Sequence, residues 1–523
     1  MHFVGFPPAG HHSWRMIEMR LLSLFLVFFM LLPVFSAGAE EDYSPSVEGI
    51  ALGAVNARTA VHDPSIIAAD GAYYIFGSHM AAARSENLRS WTVVATGYYS
   101  GNRVWGDIFA EDSHVFDYAG GPSSLIPTDD RRHHVWAPDV IYNKTMGKYV
   151  MYYCTSSTWN ASNICFGISD SVEGPYTWQG RIVCSGFDKR IAAQTDAAQV
   201  VGEDWIKSRY LTLAGGYNFR EWPNAIDPSV FYDADGRMWM VYGSWSGGIF
   251  ILEIDPATGY AIHPEADDAA GIDPYFGKRL LGGGHHSIEG PYILYDEAAG
   301  WYYLFVSYGE LQAHGGYQIR VFRSRTPEGE YEDMNGTRPG KSAHAPFGLK
   351  LSGNYILPSV RTAYMATGHN SALIDADGKR YICYHTRFAN GSEGHLPMVK
   401  QYGLNAEGWP CPLPYATRKE DLPDTVDPAS VPGRYYVINQ GTYISDKIAE
   451  PFILYLRGDG TVGGETLSGT WHVEDGSAFL RLSLGGTEYS GILARMQDDA
   501  GTEVSVFSAV GNNESIWGVK YDE

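Results

Sequence analysis

The chain has 523 residues, a formal net charge of −22, 14% aromatic residues, 60 glycines and 27 prolines. This length allows one large β domain with a smaller one, and the composition favours many short strands joined by turns over helices. The negative charge argues against nucleic acid and anionic membranes as partners and fits a neutral or cationic ligand.

The first 39 residues predict an export signal that is not part of the fold. Arg20 precedes the apolar run 21–35, which is short for a membrane span, and Ala-Gly-Ala at 37–39 offers a small-residue cleavage site. Residues 1–15 resemble an upstream extension of this signal. A retained N-terminal anchor is the alternative. We therefore expect a secreted protein, extracellular or periplasmic, without membrane contact after the signal is cleaved.

One sequence pattern recurs five times along the chain. Each copy has a short apolar strand, a turn and a second apolar strand. The copies start at Asp63, Ala137, Asp227, Glu289 and His369. Each copy predicts a β-hairpin, and the intervals between them leave room for two further strands. Four-stranded sheets repeated around an axis form a β-propeller, so we predict an all-β fold with a five-bladed β-propeller. An irregular β-sandwich or two separate domains is the alternative.

Cysteine usage fits an exported protein that is held together by its core. Five cysteines are few and odd in number, and none forms a CxxC pair, so a thiolate metal site is not expected. A disulfide among Cys154, Cys165 and Cys184 stays open. Buried free thiols, including Cys383 and Cys411, are the favoured interpretation.

The pattern ends before the last quarter of the chain. We predict that the propeller spans 40–418 and that the Pro- and Asp-containing segment 419–432 is a linker. Short strands with regular turns fill 433–523, which predicts a compact antiparallel β-barrel or sandwich. No catalytic constellation is visible in this C-terminal segment.

The start of each copy is where we expect the chemistry. Inner strands of a propeller begin near its axis, so Asp63, Asp227, Glu289 and His369 should converge there. Like charges disfavour joint ionisation, which separates a protonated acid from an ionised base. Glycoside hydrolysis requires such a pair of carboxyl groups. The alternative is that each carboxylate only caps a turn.

Three stretches resemble the acidic motifs of glycoside hydrolase family 43: HDPS at 62–65, NAIDPS at 224–229 and IEGPY at 288–292. The resemblance covers about residues 61–415 and includes WAPD at 136–139. Within the family, GYQIRVFRS at 316–324 and the appended β domain are similar to the extracellular endo-1,5-α-L-arabinanases.

The resemblance implies roles for the converging residues in an inverting enzyme. Asp63 would be the general base that activates water, Glu289 the general acid, and Asp227 the pKa modulator that orients Glu289. An inverting pair holds its carboxyl groups about 6.5–9.5 Å apart to leave room for water. His369 is implied to bind a central metal, usually Ca²⁺, together with waters. Because calcium prefers oxygen ligands, an inner-channel histidine bonded to backbone is the alternative. No organic cofactor is expected.

Substrate binding should combine aromatic faces against sugar rings with polar groups for hydroxyls. The candidates near the starts of the copies are Trp105, Trp159, Trp222, Trp245, Asn224, His285, His286 and His314. Core packing is the alternative for each tryptophan.

Together with the export signal, the resemblance implies a secreted inverting glycosidase that cleaves internal α-1,5-L-arabinofuranosidic bonds of arabinan or arabino-oligosaccharides. An exo-acting α-L-arabinofuranosidase or β-xylosidase of the same family would use the same three acids. A non-catalytic carbohydrate-binding propeller is the alternative from another class. The oligomeric state and the role of the C-terminal domain stay open.

Overall fold

A computed structural model describes residues 47–99, 101–106, 108, 110, 113–121, 134–158 and 161–521. The predicted export signal lies outside these residues. Within them, we find no helix with the length and apolar character needed to span a membrane. The helical elements are single turns or little more: Ala192–Gln194, Ala197–Val201, Glu203–Trp205, Ile206–Tyr210, Gly340–Ser342 and Pro428–Ser430.

Strands form five separate antiparallel sheets before residue 413. Blade 1 contains β1 (Ser65–Ala69), β2 (Ala72–Gly77), β3 (Ala81–Ser85) and β4 (Thr92–Ala95). Blade 2 contains β5 (Val135–Asn143), β6 (Lys148–Thr158), β7 (Ala161–Ser169) and β8 (Thr177–Ser185). Blade 3 contains β9 (Ser229–Tyr232), β10 (Met238–Tyr242), β11 (Ile249–Ile254), β12 (Ala261–Ile262), β13 (Ile272–Asp273) and β14 (Gly277–Leu281).

The last two blades follow the same plan. Blade 4 contains β15 (Ile288–Asp296), β16 (Trp301–Tyr308), β17 (Gln318–Ser324) and β18 (Leu349–Ser352). Blade 5 contains β19 (Tyr364–Ile374), β20 (Arg380–Phe388), β21 (Leu396–Leu404) and β22 (Pro410–Pro412). The first strands contact one another in a closed ring, in the order β1, β5, β9, β15, β19 and back to β1. The predicted five-bladed propeller is therefore confirmed.

Apolar packing closes the ring between neighbouring blades. Each pair of adjacent blades shares one cluster of buried side chains, and the cluster between blades 5 and 1 joins Ile75 to Tyr381 and Val399. All five cysteines are buried free thiols, as predicted. The propeller is thus held together by side-chain burial, the dominant favourable term in folding.

Eight further strands close into an antiparallel barrel. They are β23 (Gly433–Asn439), β24 (Phe452–Leu456), β25 (Thr461–Gly464), β26 (Ser468–Val473), β27 (Phe479–Leu484), β28 (Thr487–Gln497), β29 (Glu503–Gly511) and β30 (Glu514–Lys520). The interior is filled by buried side chains such as Leu454, Leu482 and Phe507. The outer face contributes Ile438 and Trp517 to the cluster between blades 4 and 5, so barrel and propeller share a core.

Candidate active site

The five inner strands share one backbone turn, which precedes the strand in blades 1 and 3 and interrupts it in blades 2, 4 and 5. The residues at the turn have φ of +52° at Asp63, +40° at Ala137, +56° at Asp227, +55° at Gly290 and +50° at His369. Such values cost a non-glycine residue roughly 1–3 kcal/mol and cluster at functional sites. The surrounding sheets therefore hold four side-chain-bearing residues in a strained conformation at the axis.

This turn corrects the predicted register of the fourth copy. Gly290, which precedes Pro291, is the equivalent of Asp63 before Pro64, and these residues line the axial cavity together. Glu289 lies one position earlier, at the place that His62 occupies in blade 1. The sequence signal for this was the glycine before the proline, which fits the left-handed turn better than an acid does.

Asp63 is surrounded by imidazoles. His62 Nδ1 lies 2.8 Å and His369 Nδ1 3.1 Å from Asp63 Oδ1, while Ser78 Oγ donates to Oδ2. Burial alone would raise the pKa of Asp63, but His369, His62 and His385 outweigh it and hold that pKa well below its ordinary value. The Asp63 carboxyl is therefore ionised at neutral pH.

Glu289 accepts three hydrogen bonds from neutral donors. Tyr317 Oη donates to Oε1 at 2.7 Å, and Trp245 Nε1 and Ser244 Oγ donate to Oε2 at 2.8 and 3.1 Å. Burial and the carboxylates of Glu289 and Asp63 raise the pKa of Tyr317, which keeps its hydroxyl protonated as a donor. These hydrogen bonds to both oxygens fix the orientation of the Glu289 carboxyl group.

Asp227 supports the backbone that carries Glu289. Its Oδ2 accepts a hydrogen bond from the Gly290 amide at 3.1 Å. Burial raises the pKa of Asp227 to about 7; His369 opposes this shift, and the carboxylates of Glu289 and Asp63 reinforce it. Near neutral pH, this carboxyl can therefore hold a proton while Asp63 does not.

His369 lies among the three carboxyl groups. Burial disfavours its charged form, but Asp63, Asp227 and Glu289 outweigh this effect and raise the pKa of His369. Its backbone amide donates to Ser307 Oγ at 2.7 Å. A glycine at 290 leaves room for the ring, because a Cβ there would lie 3.1 Å from His369 Cγ.

A small axial cavity of about 20 Å³ is lined by Asp63, Asp227, His369 and Asn370 among others, and it is large enough for a water-sized occupant. The buried amide oxygen and nitrogen of Asn370 have no hydrogen-bond partner among the described residues. Carboxylate and amide oxygens are the ligands that calcium prefers. The oxygens of Asp63, Asp227 and Asn370 therefore fit one cation in this cavity beside His369, whose predicted ligand role stays a prediction.

The predicted substrate contacts differ in where the structure places them. Trp105 and Trp222 are only 2% and 7% exposed and pack in the hydrophobic clusters, so the prediction of sugar stacking is wrong for them: neither offers an open ring face. Trp159 lies outside the described residues. Asn224 is buried and accepts a hydrogen bond from Ser185 Oγ at 3.4 Å, behind the Asp227 turn.

The remaining candidates are Trp245 and three exposed histidines. Trp245 bonds to the acid directly, and its ring centroid is 5.4 Å from that of the exposed His285. His286 is exposed with its ring 5.3 Å from His344, and His314 is exposed between β16 and β17. Trp245 is therefore the tryptophan that the structure brings to the acid.

Several site residues were not singled out from the sequence. Tyr317 and Ser244 contact Glu289, and His62, Ser78 and His385 contact Asp63. His62 lies in the HDPS motif, Tyr317 lies in the stretch 316–324 and Ser244 precedes the candidate Trp245, so their positions are a usable signal. Ser78 directly follows β2 and His385 lies within β20, the second strands of their hairpins, and only the pairing of those strands brings them to the axis.

Comparisons with known proteins find a matching family model, similar sequences and a similar crystal structure. The profile described as "Glycosyl hydrolases family 43" matches residues 205–410, and a "C-terminal lipocalin-like domain" matches residues 412–518. An "Extracellular endo-alpha-(1->5)-L-arabinanase" of Thermotoga petrophila is 37% identical over 483 residues, 88% of this chain and 94% of that protein. "Extracellular endo-alpha-(1->5)-L-arabinanase 2" of Bacillus subtilis is 35% identical and covers 88% and 93%. The crystal structure of endo-1,5-alpha-L-arabinanase from Thermotoga petrophila superposes with a TM-score of 0.76 at 35% identity, covering 88% of this chain and 98% of that chain.

Proposed function

Because the chain belongs to glycoside hydrolase family 43, we propose that it hydrolyses internal α-1,5-L-arabinofuranosidic bonds of arabinan. The proposal rests on the different surroundings of the Asp63 and Glu289 carboxyl groups. Asp63 is kept ionised by imidazoles, whereas Glu289 is fixed by hydroxyl and indole donors. An ionised base and a separately oriented acid are what glycoside hydrolysis requires.

In the proposed reaction, Asp63 takes a proton from a water molecule as its oxygen attacks the anomeric carbon. The bond from this carbon to the leaving oxygen breaks, and Glu289 gives its proton to that oxygen. Asp227 holds the acid in place through the Gly290 amide. Direct attack by water inverts the anomeric configuration, so proton NMR should show the inverted anomer first. Initial release of the retained anomer would contradict this mechanism.

Replacement of the acid distinguishes an enzyme from a binding protein. In Glu289→Gln, we expect turnover of linear arabinan to fall by at least about 100-fold, since general acid catalysis contributes about 10²–10⁴. Binding of arabino-oligosaccharides, measured by calorimetry, should persist. Unchanged turnover would remove Glu289 from the proposed role.

Internal cleavage has its own test. Linear arabinan should first yield oligosaccharides of intermediate length, and arabinose should accumulate only later. Arabinose as the sole early product would assign the chain to the exo-acting enzymes of the family. Both relatives described above are named as endo-acting proteins, which supports the proposal.

We also propose that His369, with Asn370 and the neighbouring carboxylates, holds a calcium ion at the axis. When bound, the ion would supply positive charge that favours the ionised carboxylates around it. After dialysis against calcium-free buffer, the protein should retain about one calcium per chain, and His369→Ala should lose it. Equal calcium content in both proteins would exclude His369 as a ligand.

Secretion is a further part of the proposal. The residues before 40 have the features of an export signal, and both relatives are named as extracellular. In the native host, arabinanase activity should therefore be found outside the cytoplasm, and the exported protein should lack the signal on N-terminal sequencing.

A further inference from the structure

We propose that Arg387 and His62 are positioning residues that hold the Asp63 carboxylate in its productive direction. The inference rests on the proposed role of Asp63 as the base. It assigns a function to a partly buried side-chain cluster that lies between blade 5 and the start of blade 1.

The hydrogen bonds of His62 have a defined direction. Arg387 Nη2 lies 3.3 Å from His62 Nε2, and a guanidinium can only donate, so Nε2 is the acceptor. A neutral imidazole then carries its proton on Nδ1. That atom lies 2.8 Å from Asp63 Oδ1 and donates to it. Arg387 therefore fixes the tautomer in which His62 binds the base.

Ring packing prevents His62 from turning away. Its ring stacks on that of His385 with centroids 4.0 Å apart, and the edge of His395 lies 5.0 Å away. His385 is fully buried, and its Nδ1 accepts the Asp63 amide proton at 3.3 Å. The backbone and the side chain of Asp63 are thus held by two stacked imidazoles.

Arg387 is itself firmly anchored. It is 5% exposed, its Nε donates to the Leu311 carbonyl at 2.7 Å, and its Nη1 donates to the Glu393 carbonyl. The Glu393 carboxylate lies 3.2 Å from Nε and accepts the Ala313 amide at 3.1 Å. The segment that holds Leu311 and Ala313 leads directly into Tyr317, which binds Glu289. The supports of the base and of the acid therefore share one anchor.

The number of hydrogen bonds that the Asp63 carboxylate can accept explains why its orientation matters. An ionised carboxylate has about four acceptor positions. His62, His369 and Ser78 approach three of them, which leaves one for the attacking water. Without the His62 bond, the carboxylate could rotate, and a displacement of about 1 Å can cost about 100-fold in rate.

Two substitutions at position 62 test the proposal. His62→Phe keeps a stacked ring but removes both hydrogen bonds, so kcat on linear arabinan should fall about 10- to 100-fold while KM stays within about twofold. His62→Asn places an amide donor near the position of Nδ1 and should recover at least about threefold in kcat over His62→Phe. Affinity for arabino-oligosaccharides, measured by calorimetry, should be unchanged in both.

A surface pair provides the matched control. His114 Nδ1 lies 2.8 Å from Asp117 Oδ2, the same separation as in the His62–Asp63 pair, but both side chains are exposed. His114→Phe should therefore leave kcat and KM unchanged. Arg387→Met should lower kcat, and the double variant with His62→Phe should be no worse than His62→Phe alone, because both changes break one chain of bonds.

Each outcome decides the proposal. Wild-type kcat in His62→Phe, equal kcat in the Phe and Asn variants, or a proportional rise in KM would overturn it. Fully additive losses in the double variant would exclude the link between Arg387 and His62. Failure of the proposed function gives a different result. If Asp63 is not the base of an arabinan hydrolase, the wild-type protein will not cleave arabinan or Asp63→Asn will keep wild-type turnover, whatever is changed at His62.

Discussion

Tyr317 is the residue whose single hydroxyl most directly supports the proposed acid. It is fully buried, and its hydroxyl stays protonated because burial and nearby carboxylates raise its pKa. A hydrogen bond to a charged or ionising group is worth about 1.5–3 kcal/mol. Loss of this bond should therefore disturb the orientation of Glu289, while a chain of this size loses only a few degrees of unfolding temperature.

Removal of that hydroxyl should be visible in kinetics. We expect Tyr317→Phe to lower kcat on arabinan about 10- to 100-fold with an unfolding temperature close to that of the wild type. Tyr308→Phe is the control, because the buried Tyr308 hydroxyl has no hydrogen-bond partner among the described residues. Equal kcat values in the two variants would exclude Tyr317 as a support of the acid.

At the scale of the element, the positive-φ turn in or just before each inner strand decides where the side chains go. In β15 the turn residue is Gly290, with φ of +55°, and the pairing with β16 shifts between Glu289 and Tyr292. Since the shift places Glu289 beside Trp245 and Tyr317, the backbone irregularity brings the acid to its donors. The same turn is therefore both a site of backbone strain and the feature that positions the acid.

Gly290→Ala separates these two contributions. An added Cβ would lower the free energy of unfolding by about 1–2 kcal/mol, because the backbone there is left-handed, and it would lie 3.1 Å from His369 Cγ. We expect a lower unfolding temperature together with at least about a tenfold loss of kcat. Gly236→Ala has a similar φ of +80° but meets no atom within 4 Å. It should lose stability alone, and an equal loss of kcat there would contradict this interpretation.

The same turn shows how far the sequence could predict this site. The hairpins and their number follow from apolar strands separated by Gly-containing turns, a local pattern. The convergence of Asp63, Asp227 and His369 follows from the repeat. The predicted start of the fourth copy is wrong by one residue, because Gly290 before Pro291, and not the acid Glu289, occupies the left-handed turn. The contacts of His385 and Ser78 depend on strand register between distant segments, which no local pattern specifies.

Across the whole molecule, barrel and propeller are joined by buried cations as well as by apolar packing. Lys400 on β21 lies 3.6 Å from the centre of the Trp517 ring on β30 and donates to the Pro414 carbonyl at 2.6 Å. Lys350 on β18 donates to the Tyr443 carbonyl, which lies between β23 and β24, at 3.2 Å. Burial of an unpaired ammonium is unfavourable unless carbonyl oxygens or aromatic rings receive it. The interface therefore has a stability that depends on protonation.

The pKa of Lys350 sets the pH range over which the stability of the interface changes. Burial, reinforced by the charge of Arg320, lowers the pKa of Lys350 to about 7, with Glu514 acting in the opposite direction. In the unfolded chain the pKa of a lysine is about 10.4. Between these values the unfolded state binds more protons than the folded state, so this group makes the protein more stable as pH rises from about 7 to about 10. Below pH 7 both states are protonated, and its contribution no longer changes.

Lys350→Met should remove this contribution while keeping a side chain of similar length in the interface. The free energy of unfolding in urea, measured at pH 7.5 and 9.0, should rise more with pH in the wild type than in the variant. The difference in slope is at most about 1.4 kcal/mol per pH unit for one proton. Lys447→Met, an exposed change on the same side of the barrel, should keep the wild-type slope. Parallel pH profiles for the wild type and Lys350→Met would show that Lys350 stays charged in the folded interface, with its ammonium fully satisfied by the carbonyl it meets.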